Sequence, residues 1–176
     1  YNPNINSLDE SEVYIAKWNF DGSLVWRKEV SPSNEFKIAG IPIVHDDYIL
    51  FLSVSDSDKQ NEKWGIGKLL SNGDLVWHRQ FDKENGLWQL TEDSFGNIFA
   101  MNATMIRKLN SIGAIIWSKP LIAYVDGYVW SQSISTTDGG LVFIAEAVDR
   151  SDFYTMIKIN STGNRVWEIS DVNGIG

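Results

Sequence analysis

Apolar residues along this chain fall in short runs separated by clusters of Asp, Asn, Gly and Ser, the rhythm of strands punctuated by tight turns. The runs Val13 to Phe20, Trp64 to Leu70, Met105 to Asn110 and Tyr154 to Asn160 are rich in β-branched and aromatic side chains, which suit a pleated, half-buried surface. Each is followed by a glycine-bearing turn: Phe20-Asp21-Gly22-Ser23, Ser71-Asn72-Gly73-Asp74, Ser111-Ile112-Gly113-Ala114 and Ser161-Thr162-Gly163-Asn164. Asp-Gly and Asn-Gly are signals of a two-residue hairpin. Ile112 and Thr162 suit such a turn less well, and a three-residue loop with Gly in the left-handed position accommodates all four copies. A second strand, carrying a Trp, completes each hairpin.

A looser pair of apolar segments lies upstream of three of these hairpins. Ile41 to Val44 and Tyr48 to Leu52 flank His45-Asp46-Asp47; Trp88 to Leu90 and Asn97 to Met101 flank Asp93-Ser94-Phe95-Gly96; Val129 to Ile134 and Leu141 to Ala145 flank Thr137-Asp138-Gly139-Gly140. Aligning Asp47, Gly96 and Gly140 brings Ile49-Leu50, Ile98-Phe99 and Val142-Phe143 into register. One unit is then four short strands, two around an Asp/Gly turn and two around the tryptophan hairpin.

The hairpin repeats as a spaced triplet, Lys17-Gly22-Trp26, Lys68-Gly73-Trp77, Lys108-Gly113-Trp117 and Lys158-Gly163-Trp167, with Val or Ile before every Trp. Periods of roughly 40 to 50 residues mark propellers, solenoids and arrays. A four-stranded unit cannot cover its own faces, and radial stacking of such sheets does so while leaving only short edges. The expectation is an all-β chain, a β-propeller of four-stranded antiparallel blades. Trp26, Trp77, Trp117 and Trp167 are expected to pin neighbouring blades together, and the four Lys to lay their stems over apolar neighbours with the ammonium in water.

Four tryptophan hairpins but three upstream pairs leave the first unit without its inner half. The expected partition is a half blade over 1–30, blades over 31–81, 82–120 and 121–170, and in 171–176 the start of a next blade or a closing tail. That organisation implies three blades and a half from a larger ring of six to eight, with the remaining blades in a larger chain. A closed four-bladed ring, with the tail beside Val13 to Phe20, is the alternative.

The run Ser135-Thr136-Thr137-Asp138-Gly139-Gly140-Leu141-Val142-Phe143, followed by Lys158-Ile159-Asn160-Ser161-Thr162-Gly163-Asn164-Arg165-Val166-Trp167, resembles the repeat of bacterial secreted propeller proteins, which runs Thr-Asp-Gly-Gly-Tyr and then Lys, Gly-Asn and Trp at this spacing. Such repeats are similar to quinoprotein-like propellers and are frequent in exported proteins of gliding and gut bacteria. The resemblance covers essentially the whole chain and implies fold and export. Its motifs are architectural and bring no catalytic residue with them. Asp46-Asp47 and Phe95-Gly96 stand where the last unit has Gly-Gly. Quinoprotein dehydrogenases share this rhythm, but they carry a stricter Ala-x-Asp-x-x-x-Gly-x-x-x-Trp motif and many have adjacent Cys; here Ala and Asp are replaced and Cys is absent.

Composition narrows the function classes. A net charge of −8 argues against general nucleic-acid affinity, which needs clustered Lys and Arg. No apolar run is long enough for a membrane-spanning helix. Zero Cys removes thiol catalysis, disulfides and thiolate metal sites. The two histidines, His45 in an upstream turn and His78 after a repeat Trp, lie in different contexts, so a shared metal or a nucleophile–base pair between them is not expected; His78 reads as solvent-facing. Asp56-x-Asp58 and Asp171-Val172-Asn173-Gly174 only faintly resemble calcium loops, and Glu92 with Asp126 or Asp149 cannot be paired by spacing.

The binding reading rests on aromatics outside the repeat. Trp88 and Trp130 open upstream strands beside Gly86 and Tyr128, so Trp88, Trp130 and Tyr128 are the candidate ligand-binding residues; Trp18 and Trp64 are read as covering a sheet face. The expected function is a non-enzymatic extracellular or cell-surface recognition or scaffold module that binds a protein or glycan through loops, with no cofactor, metal or nucleic acid. A periplasmic or outer-membrane assembly scaffold is the alternative, similar in blade type to the propeller lipoprotein of the barrel-assembly machinery, and a quinoprotein-like or polysaccharide-active enzyme comes after it.

Overall fold

The computed structural model describes residues 14–29, 37–54, 63–81, 89–102, 104–121, 132–147 and 150–170. They form fourteen strands and no α-helix: β1 (Tyr14–Trp18), β2 (Leu24–Glu29), β3 (Lys37–Val44), β4 (Tyr48–Val54), β5 (Trp64–Leu70), β6 (Leu75–Phe81), β7 (Gln89–Glu92), β8 (Ile98–Met101), β9 (Met105–Leu109), β10 (Ile115–Pro120), β11 (Ser133–Ser135), β12 (Leu141–Ala147), β13 (Arg150–Ile159) and β14 (Arg165–Ser170). These make a two-stranded sheet, β1-β2, and three four-stranded sheets in which each strand pairs antiparallel with the next in sequence. The chain divides into two compact units, Tyr1–Lys83 with β1 to β6 and Glu84–Gly176 with β7 to β14.

All four tryptophan hairpins close with a three-residue loop. In the first, the Gly22 N–H donates to the Asn19 carbonyl at 3.0 Å and the Asn19 N–H to the Ser23 carbonyl at 2.8 Å; the same two bonds close 70–74, 110–114 and 160–164. The glycines carry φ of 80°, 86°, 78° and 74°, values that a side chain would strain. Ile112 and Thr162 are tolerated because the residue opening their loops, Asn110 or Asn160, accepts backbone N–H bonds through its side chain, from Ala114 at 2.8 Å and from Asn164 at 2.9 Å. The bulge that follows sets every Lys of the triplet opposite its Trp: Lys17 and Trp26, Lys68 and Trp77, Lys108 and Trp117, Lys158 and Trp167.

The upstream turns correct one alignment. The left-handed glycine of the last sheet is Gly139, with φ 74°, and its counterpart is Gly96, with φ 77°. Leu141 therefore corresponds to Ile98 and Ile49, all three lying opposite the residue after the repeat Lys. Matching Gly140 to Gly96 slips the strand by one residue, which in a period-two element exchanges its two faces. The turn at His45 is shorter, closed by its N–H to the Tyr48 carbonyl at 2.8 Å.

Burial runs across the sheets. β8 is buried along its length, as are Leu50 to Ser53 of β4, while β14 is exposed throughout. Continuous burial on a second strand means both of its faces are covered, the opposite of a half-solvated sheet. In the second unit Phe99, Met101, Ile106, Leu141, Phe143, Ile157 and Ile159 form one cluster; in the first, Ile15 of β1 packs on Phe51 and Leu69 of the next sheet. Each such large side chain contributes about 1.5–3 kcal/mol.

Candidate functional site

The repeated triplet builds a specific contact between consecutive sheets. In the first unit the Trp26 indole N–H donates to the Ser71 carbonyl at 3.2 Å, and its ring lies on Gly73 so closely that a Cβ there would sit 2.9 Å from it. Two residues on, the Lys28 ammonium pairs with Asp74, whose carboxyl is held below its ordinary value first by that hydrogen bond. In the second unit Trp117 donates to the Ser161 carbonyl at 3.0 Å and its ring lies 3.1 Å from where a Cβ on Gly163 would be. Lys119 donates to the Gly163 carbonyl at 2.7 Å and to Asn164 Oδ1 at 2.9 Å. Glycine is thus required twice at Gly73 and Gly163, for its dihedral and for the indole above it.

The four copies are not equivalent. Trp26, Trp77 and Trp117 are half-buried and Gly73, Gly113 and Gly163 buried. Trp167 is 36% exposed, and Gly22 is exposed with nothing within 4 Å of where its Cβ would be. The expectation of four equal anchors therefore has its exception at Trp167. Inner strands are also tied within the second unit, by Thr91 Oγ1 with Ser133 Oγ at 2.9 Å and Ser135 Oγ donating to the Glu92 carbonyl at 2.7 Å.

The repeat lysines differ more than their spacing implies. Lys17 is exposed, and Lys68 places its ammonium 3.6 Å from the centre of the Tyr48 ring. Lys108 is 3% exposed, correcting the expectation of an ammonium in water. It donates to the Gly139 carbonyl at 2.7 Å, lies 3.0 Å from Asp93 Oδ2 and stands 4.7 Å over the Phe99 ring. Asp93 also accepts from the backbone N–H groups of Phe95 at 3.0 Å and Asn97 at 2.8 Å and from the Asn97 amide. Burial opposes its charge, but the Asn97 and Lys108 hydrogen bonds outweigh that and hold the carboxyl below its ordinary value. Lys158 sits 2.8 Å from Asp138 Oδ2, and this bond is the chief cause of the strongly lowered Asp138 carboxyl.

His78, expected to face solvent, is half-buried and shares a 2.7 Å hydrogen bond with Ser53 Oγ, its ring parallel to Phe51 at 6.1 Å. Ser53 and Phe51 are on β4 and His78 on β6, with β5 between them. They meet because β5 carries Gly65 and Gly67. A Cβ on Gly65 would lie 2.5 Å from Ser53 Oγ and 2.8 Å from His78 Nε2, and one on Gly67 would lie 2.0 Å from Phe51. The readable signal was Trp64-Gly65-Ile66-Gly67, glycines inside a strand, which mark a close approach. A hydroxyl on an imidazole has the composition of a nucleophile–base pair. Here Ser53 is 1% exposed under packed side chains, and the bond ties two strands across a third.

Trp88, Tyr128 and Trp130 lie outside the described residues, as do Asp56, Asp58, Asp126, Asp149 and Asp171. Of the other aromatics, Trp18 is 60% exposed and Trp64 half-buried. His45 stacks on Tyr48 at 4.4 Å. Among the described residues no group of three His, Asp or Glu is placed to hold a metal, and no helix is long and apolar enough to cross a membrane.

No family model and no curated protein matches the chain. Among solved structures, luciferin-regenerating enzyme is similar with a TM-score of 0.52 and 11% identity over 90% of this chain and 56% of that one. A protein of unknown function from Bacteroides caccae is similar with a TM-score of 0.40 and 13% identity over 87% of this chain and 73% of that one. The chain spans little more than half the length of the first, and at this identity the likeness concerns the fold alone.

Proposed function

We propose that the four sheets are successive blades of a β-propeller, a half blade and three whole ones, forming an arc of a ring of six to eight. The arc is a non-enzymatic extracellular or cell-surface module of the bacterial secreted-repeat kind, recognising a protein or glycan through the loops that differ between blades. The contact of Trp26 with the Ser71-to-Asp74 loop and its counterpart at Trp117 carry this reading. Trp26, Gly73, Trp117 and Gly163 of the repeat are engaged in stacking sheet on sheet, which leaves recognition to the unshared segments that carry Trp88, Tyr128 and Trp130. The −8 net charge and the absence of Cys are compatible with that setting.

Glycan-array and extracellular-protein binding by the chain and by its Trp88→Ala, Tyr128→Ala and Trp130→Ala variants tests the recognition site. Binding should fall about tenfold or more on loss of a stacking aromatic, with the thermal midpoint unchanged. Binding indifferent to all three substitutions would remove these residues from the reading. A Trp117→Ala chain that melts like the parent would remove the stacking contact on which the propeller rests.

A further inference from the structure

The loop over 70–74 sets an asparagine directly before its apex glycine, Asn72-Gly73. It is the Asn-Gly step among the described residues; Asn85-Gly86 and Asn173-Gly174 lie outside them. In such a step the glycine nitrogen can attack the side-chain carbonyl carbon of the asparagine, because no Cβ shields it. A bond forms from Gly73 N to Asn72 Cγ, the side-chain nitrogen leaves as ammonia with the proton of the Gly73 N–H, and a cyclic imide remains. Water then adds to either imide carbonyl and opens the ring. The product is aspartate or, with one extra methylene in the main chain, isoaspartate.

The fold restrains both reacting groups. Asn72 is exposed, so water reaches it, but the Gly73 N–H is committed to the Leu70 carbonyl at 2.8 Å. Asn72 Nδ2 donates to Asp74 Oδ2 at 2.8 Å, and Asn72 Oδ1 accepts the Asp74 N–H at 3.0 Å. Over the glycine lie the Trp26 ring and the Lys28 stem, which a Cβ there would meet at 2.9 and 3.0 Å. Cyclisation therefore needs a local opening of the loop away from the indole. The products in turn fit the contact badly. Aspartate at this position sets a carboxylate against that of Asp74, where the amide had donated a hydrogen. Asp21 holds the same place in the first loop without conflict, because Ser23 donates to it through its N–H at 2.9 Å and its hydroxyl at 2.6 Å. Isoaspartate lengthens a three-residue loop whose closing bonds, Gly73 to Leu70 and Leu70 to Asp74, fit its present length. The contact at Trp117 carries no such chemistry, since its apex reads Thr162-Gly163.

We propose that Asn72 is a site of spontaneous covalent modification latched by the Trp26 contact: the stacked indole holds back its cyclisation, and conversion to aspartate or isoaspartate loosens the stack. The inference needs that contact alone and no ring of blades. Peptide mapping by mass spectrometry of the chain aged in mildly alkaline buffer, folded and in urea, tests it. Asn72 should convert about tenfold or more slowly in the folded chain than in urea. Trp26→Ala should return most of that rate, with Asn85 and Asn173 converting as in the parent. Should Trp26→Ala unfold the chain, Trp26→Phe decides: it keeps a ring over Gly73, loses the bond to Ser71 and should give an intermediate rate. Asn72→Asp should lower the thermal midpoint by about 2–4 °C. Adding Asp74→Asn, which reproduces the Lys119–Asn164 pairing, should recover most of it. Equal rates at Asn72 in the parent and Trp26→Phe, or an Asn72→Asp chain that melts like the parent, overturns the proposal. Neither result bears on the Trp117 contact, so this failure and that of the propeller reading are distinguishable.

Discussion

The sheets β3–β6 and β7–β10 share one backbone plan and solve the same local problem with different chemistry. Both set a repeat Lys opposite a repeat Trp and next to the second strand, yet Lys68 rests on the Tyr48 ring while Lys108 is enclosed with Asp93 and the Gly139 carbonyl. The difference begins in the upstream turn. That at His45 closes directly on Tyr48, whereas the turn at Asp93 has one more residue and a carboxylate that accepts the N–H groups of Phe95 and Asn97. The upstream turn thus presents an aromatic face to one ammonium and a buried carboxylate to the other. The same pair of sheets contrasts in its middle strands: β5 carries Gly65 and Gly67, which let Ser53 reach His78, while β9 has Met105 and Arg107 at the corresponding places. A repeat thus dictates register and leaves the polar interior free to vary.

The largest break of this comparison is Lys108→Ala, which strands Asp93 in a dry site and should cost about 3–5 kcal/mol in urea unfolding. Replacing both partners, Lys108→Met with Asp93→Leu, should recover most of that loss; a double variant as unstable as the single one would remove the charge-pair account. Lys68→Ala, its counterpart on the aromatic face, should cost only about 0.5–1 kcal/mol. Between these lies Gly67→Ala, whose new Cβ would collide with the Phe51 ring, at about 1–3 kcal/mol. Phe51→Leu in the same chain should relieve part of that strain.

Acid titration sharpens the contrast with a smaller effect. The Asp93 carboxyl lies below its ordinary value in the folded chain, so the folded state holds fewer protons than the unfolded one as pH falls. Its contribution is complete above about pH 4 and is lost progressively below that, as pH drops through the folded value. An Asp93→Asn variant should show a shallower decline in thermal midpoint between pH 5 and pH 3, roughly the interval over which that proton is taken up. Parallel curves for the two chains would count against the assignment.

Much of the architecture was legible because turns and alternation are local. Asp, Asn and Gly at fixed offsets forced the hairpins, and the strand from Trp64 to Leu70 runs as its β-branched and apolar content predicts. Other bounds shifted where the local signal was weak: β13 begins at Arg150, ahead of Tyr154, since polar residues can extend a paired strand once its neighbour is in place. The slip at Gly139-Gly140 arose because either glycine satisfies a turn by itself, and only the pairing of Leu141 with Ile159 selects between them.

The sequence by itself determined the number of tryptophan hairpins and the place of the glycine in each turn, because turn chemistry is local; the pairing that sets Lys against Trp came with the bulge after each loop. Tertiary structure decided which of those equivalent residues are buried. Lys108 is dry and Lys17 wet, Gly73 covered and Gly22 open, although their local sequences are alike. Burial belongs to whatever lies across the neighbouring face, and a pattern read along one strand carries no record of it.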